Sequence, residues 1–147
     1  MFSKRIKCPR EERSIQPEYE RTLHVGSVKE NFILSCIRGD KITVKKLITE
    51  NYQVNDKDIN GDTPLHYSAE CGKLKIVKLL IRDGNAQVNS QNHFQYTPLI
   101  RAVVNDHATI VSFLLKSNAQ LNLQDINGFT GNLFCLRIKK LKKKLKF

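Results

Sequence analysis

The chain has 147 residues, the length of one domain, with 40% apolar and 27% charged residues. A mean hydropathy of −0.40 and the lack of any long apolar run exclude a membrane-spanning helix. The net charge of +11 sits at the ends: residues 1–29 hold 7 bases and 4 acids, residues 30–129 hold 11 and 10, and residues 130–147 hold 7 and none. A charge-balanced body argues against a nucleic-acid-binding core.

The first segment, 1–26, contains Pro9, Pro17 and many charges, and is expected to be a flexible arm. Its opening, MFSKRIKCPREER, has no apolar stretch of the secretory kind. With Phe2 where myristoylation needs glycine and no prenylation box in LKKKLKF, no lipid anchor is expected. The cysteines, Cys8, Cys36, Cys71 and Cys135, form no C-x-x-C pair. Reduced thiols are expected, in a protein of the cytoplasm, the nucleus or both that is neither secreted nor transmembrane.

From Ser27 onward the chain repeats. Ser27 with Glu30 reads as a capping box that opens a first helix. Val54-Asn55, Val88-Asn89 and Leu121-Asn122 recur at steps of 34 and 33. Thr63, Thr97 and Thr130 keep the same steps, and Leu47, Leu80 and Leu114 recur at 33 and 34. One residue inserted near Gly84-Asn85 accounts for the alternation. A period of this length built from short helical segments indicates a stacked helix-turn-helix array. In the best copy, NGDTPLHYSAECGKLKIVKLLIRDG, Asn60-Gly61 is a turn, Thr63 an N-cap and Pro64 the first helical residue. Gly72 ends that helix, and Leu74 to Ile81 form a second one, buried over most of its surface.

These residues resemble the ankyrin-repeat family: the G-x-TPLH opening, the small-residue pair, the glycine turn and the I-V-x-L-L helix all stand in this copy. The third copy, TPLIRAVVNDHATIVSFLL, has Ile100 where histidine is usual and Asp106 where glycine is usual. The first copy, ENFILSCIRGDKITVKKLI, lacks the TPLH opening, and the fourth, NGFTGNLFCL, departs after Thr130. The resemblance implies an all-α, short ankyrin-repeat solenoid over 27–136, with two good repeats and degenerate ends. The abrupt fourth copy is expected of a shortened product of a longer protein. His66 is implied to be structural, and Asn55, Asn89 and Asn122 sit where asparaginyl hydroxylases act on the family.

No chemistry of catalysis is apparent. Phosphate loop, HExxH and G-x-S-x-G are all missing, and His24, His66, His93 and His107 show no metal-ligand spacing. Asp56 and Asp58 read as solvated carboxylates, Cys36 as a small core residue and Cys71 as a possible groove thiol. The expectation is a non-enzymatic scaffold without cofactor or small-molecule substrate, acting as a monomer that binds a protein partner. By position in the repeat, the contact residues are Asn92, His93, Phe94, Gln95 and Tyr96 on the second hairpin and Tyr67, Glu70, Arg101 and Asn105 on the inner helices. Phe94 and Tyr96 beside polar groups have the make-up of a hot spot.

The tail, 137–147, is the second feature. Phe134, Ile138, Leu141 and Leu145 fall on one helical face, while Arg137, Lys139, Lys140, Lys142, Lys143, Lys144 and Lys146 crowd the rest. A capping helix, a nuclear import signal and a basic amphipathic helix all fit this pattern. The alternative function is therefore electrostatic binding of nucleic acid or an anionic membrane through the tail, which salt would weaken steeply.

Overall fold

The computed structural model describes residues 28–126, with Gly128 and Lys143. The arm 1–26, the capping box at Ser27, the end of the fourth copy and the tail other than Lys143 lie outside the described residues. Within them the chain forms six helices and no strand: α1 Val28–Arg38, α2 Lys41–Thr49, α3 Pro64–Glu70, α4 Leu74–Arg82, α5 Pro98–Val104 and α6 Ala108–Lys116. Each consecutive pair is one repeat. The inner helices α1, α3 and α5 pack in a row, and the outer helices α2, α4 and α6 pack in a second row behind them.

Local chemistry sets the helix boundaries. Thr63 and Thr97 stand extended at the N-caps of α3 and α5, each followed by proline, whose missing N–H is one of the helix's unpaired donors in any case. Thr97 Oγ1 accepts the Ile100 N–H at 3.2 Å. The first copy lacks this opening but still forms a complete helical pair. Asp40 caps α2 by accepting the Ile42 and Thr43 N–H groups at 3.1 and 3.2 Å.

Left-handed backbone recurs with the sequence period. Gly39, Gly72 and Asp106 turn from inner to outer helix, Asn51, Asn85 and Asn118 leave the outer helix, and Gly61, Gln95 and Gly128 sit at the hairpin tips, all at positive φ. Asp106 and Gln95 hold these conformations without being glycine, at a cost of about 1–2 kcal/mol each. The inserted residue is absorbed at the end of α4. The Tyr52 and Ala119 N–H groups bond to Leu47 and Leu114 at 3.0 Å, whereas Ala86 reaches back one residue further, to Leu80 at 2.9 Å. A Cβ on Gly84 would stand 2.9 Å from the Leu80 carbonyl oxygen, so this wider turn requires glycine.

The core lies between the two rows. Phe32, Leu65, Ile76, Leu80, Ile110 and Leu114 are fully buried. Cys36 is among them, and burial pushes its thiol up to about 12, a core residue without nucleophilic character. A smaller apolar cluster, Ile33, Ile37, Tyr67 and Cys71, sits on the inner row. Cys71 is disulfide-bonded. This corrects the expectation that every thiol is reduced. No helix among the described residues is long and apolar enough to cross a membrane.

Candidate recognition surface

The first two hairpins between repeats are built on one short polar residue each, Asp58 and Asn92, and Asp125 stands at the matching position of the next copy, at steps of 34 and 33. Asp58 Oδ1 accepts the N–H groups of Asn60 and Asp62, both at 2.9 Å. Asn92 Oδ1 accepts those of Phe94 and Tyr96 at 3.0 and 2.9 Å. Asp58 also accepts the Tyr67 hydroxyl, so it is an organising group and not the solvated carboxylate expected. Successive hairpins are stitched together. His93 N–H donates to Asn60 O at 3.0 Å, Ile126 N–H to Phe94 O at 3.3 Å, and Lys57 Nζ to Gln91 O at 2.8 Å. At their bases, Asn55 and Asn89 accept the Gln87 and Gln120 N–H groups of the next repeat at 2.8 Å.

His66 joins α3 to the second hairpin. Its Nδ1 accepts the Thr63 N–H at 3.0 Å, and its Nε2 faces the Tyr96 carbonyl at 2.9 Å. A carbonyl only accepts, so Nε2 carries the proton and the ring is neutral. Burial above all, aided by the charges of Arg101 and Lys57, pushes the His66 pKa down to about 4. Protonation would set a second donor against the Thr63 N–H. The fold therefore holds fewer protons here than the unfolded chain, whose histidine titrates near 6.5. The resulting stability is complete above that pH and is lost as pH falls toward 4, about 3 kcal/mol in all. Urea unfolding of wild type and His66→Leu at a series of pH values checks this: between pH 6.5 and 4 the wild-type curve should fall more steeply. Burial raises the Asp62 pKa and acts in the opposite sense, but it is common to both proteins.

A buried ion cluster lies behind the second hairpin. Arg101 on α5 contacts Asp62 at 3.0 Å and Glu70 at 3.2 Å. Both carboxylate side chains are 4% exposed, and that of Arg101 is 20% exposed. The Asn92 amide donates to Asp62 at 2.9 Å. The guanidinium also lies 5.5 Å from the Tyr96 ring centre. His107 donates to the Glu70 carbonyl at 2.7 Å.

The residues expected to meet a partner thus divide into two groups. Tyr67, Glu70 and Asn92 are buried and engaged internally, because the ring packs in the inner-row cluster and the two polar groups hold the hairpin and Arg101. His93, Phe94 and Gln95 are exposed at the hairpin tip, with Phe94 37% exposed and 6.3 Å from the Tyr96 ring. Tyr96, Arg101 and Asn105 are half-buried beside them, and Asn105 donates back to Arg101 O at 2.9 Å. Sequence reasoning missed Asp58 and Asp62 as architects of this surface. The recurrence of Asp58, Asn92 and Asp125 was the available signal for the first. Among the described residues no group of three or more potential metal ligands occurs.

Residues 32–125 match the family model for ankyrin repeats in three copies. The chain belongs to the ankyrin-repeat family. It is 33% identical over 90 residues to alpha-latrocrustotoxin-Lt1a of Latrodectus tredecimguttatus, covering 61% of this chain and 6% of the toxin. It is 34% identical over 95 residues to ankyrin repeat protein OPG189 of Monkeypox virus, covering 64% and 17%. A putative ankyrin repeat protein of Rickettsia bellii is 32% identical over 95 residues, covering 62% and 39%. The chain therefore spans a minor part of the length of each of these curated relatives. Ankyrin repeats generally mediate protein–protein interaction, and the family is typically non-enzymatic. The three matched copies include the first one, whose opening departs from the usual pattern.

Proposed function

We propose that this ankyrin array is a protein-recognition module whose contact surface is the second hairpin, His93 to Tyr96, backed by Arg101 and Asn105. The observation that carries the reading is an exposed aromatic on a rigid support. Phe94 stands at the tip of a hairpin whose backbone is bonded to both neighbours, at His93 N–H and at Phe94 O. A partner meeting this tip encounters an aromatic residue whose backbone is already held by its neighbours, which lowers the ordering cost of binding. Tyr67, Glu70 and Asn92 serve as supports for the surface, and binding proceeds without catalysis.

The test is capture of partners from lysate at moderate salt, followed by affinity measurement with the captured protein. Phe94→Ala should weaken binding by about 2 kcal/mol, the range of an aromatic hot spot, while leaving helical circular dichroism intact. Unchanged affinity in that variant, with binding lost instead on removal of residues 137–147, would transfer the function to the tail.

A further inference from the structure

The balanced charge of the body conceals a sorting by layer. The outer helices α2, α4 and α6 carry seven basic residues and no acidic one. Six of these, Lys41, Lys45, Lys46, Lys75, Lys78 and Arg82, lie on α2 and α4, which pack side by side. The acids nearby occupy helix ends: Asp40 is the N-cap of α2, and Glu50 and Asp83 are the C-caps of α2 and α4. The Lys46–Glu50 pair, 3.9 Å apart and exposed on both sides, neutralises little of this field. In the midst of the lysines stands an apolar side chain. Ile42 is 84% exposed, and it lines one open depression with Lys41, Lys45, Lys46 and Thr49.

We propose that this outer layer docks on an anionic lipid bilayer. Lysine ammonium groups on flexible stems reach headgroup phosphates and carboxylates across a broad face, and Ile42 enters the boundary of the acyl chains. Duplex nucleic acid fits the face less well. The outer helices hold no Asn or Gln to read base edges. Their one aromatic, Phe113, lies beneath Lys78 and Arg82, with the cationic groups 5.7 and 5.5 Å from its ring centre, which closes that ring face to base stacking. A folded protein partner would need an apolar interface core, and Ile42 alone does not supply one. The layer is separate from the second hairpin, so this inference stands independently of the recognition site.

The experiment is co-sedimentation of the full chain with phosphatidylcholine vesicles, with and without phosphatidylserine, over a salt series. The wild-type chain should sediment only with the anionic vesicles, and less as salt rises. Lys41→Glu/Lys45→Glu/Lys75→Glu, with every tail lysine intact and helical circular dichroism unchanged, should bind at least about tenfold more weakly. Ile42→Ser, which leaves the charge untouched, should also bind more weakly. Equal binding to neutral vesicles would overturn the proposal, as would wild-type binding by the triple variant. So would loss of binding only when tail lysines are reversed, or displacement of the vesicles by equimolar duplex DNA or acidic peptide at the same salt.

Discussion

Replacing Arg101 with alanine should destabilise the protein by about 3–5 kcal/mol, the cost of removing one partner from a buried ion cluster. The substitution leaves the Asp62 carboxylate, 4% exposed, with the Asn92 amide as its side-chain partner, and it removes the charge facing Glu70. It also uncovers the Tyr96 ring at the base of the second hairpin. Urea unfolding followed by circular dichroism measures the loss. Adding Asp62→Asn should restore part of it, because the amide does not carry a charge into a dry site. A loss below about 1 kcal/mol in the single variant would mean that water screens the cluster as it does a surface pair.

Leu80→Ala should be of similar severity, about 3–5 kcal/mol. Leu80 is fully buried on α4, the middle helix of the outer row, which packs against α2, α3 and α6. Stability in such arrays comes from the interfaces between neighbours, so a cavity in the middle repeat weakens both of its interfaces together. Against a total of about 5–15 kcal/mol for a domain of ordinary stability, the variant should unfold in one transition at much lower urea. Leu115→Ala, at a half-buried position on α6, the last of the six described helices, should cost clearly less. Equal losses at the two sites would show that the repeats do not reinforce one another across the middle.

The features readable in the sequence were those fixed by local chemistry at a regular spacing. Thr63-Pro64 and Thr97-Pro98 announced the starts of α3 and α5, and Gly72 announced a turn, because each depends on the backbone of its own few residues. Asp106 stood out as a side chain in a glycine's place, and it holds the positive φ that glycine would. The first helical pair was harder to read. It lacks the usual threonine-proline opening, although its second helix starts at a Gly39-Asp40 turn that matches the turns of the other copies.

The burial of Tyr67 and Glu70 could not be read from a period. It depends on Asp58, nine residues before Tyr67, and on Arg101, thirty-one residues after Glu70. The basic outer layer escaped notice for a related reason. Counting charge along the chain averages hairpin acids with helix lysines, and only the fold separates them in space. The disulfide at Cys71 had no signal in the spacing of the cysteines.

The most direct test of the recognition surface is site-specific photo-crosslinking to a captured partner. A photoreactive residue would be placed at His93, on the exposed hairpin tip, and in a second protein at Lys75, exposed on the outer layer. The partner should crosslink from position 93 and not from position 75. Crosslinking from position 75 alone, or from neither position while binding persists, would contradict the assignment of the second hairpin as the contact surface.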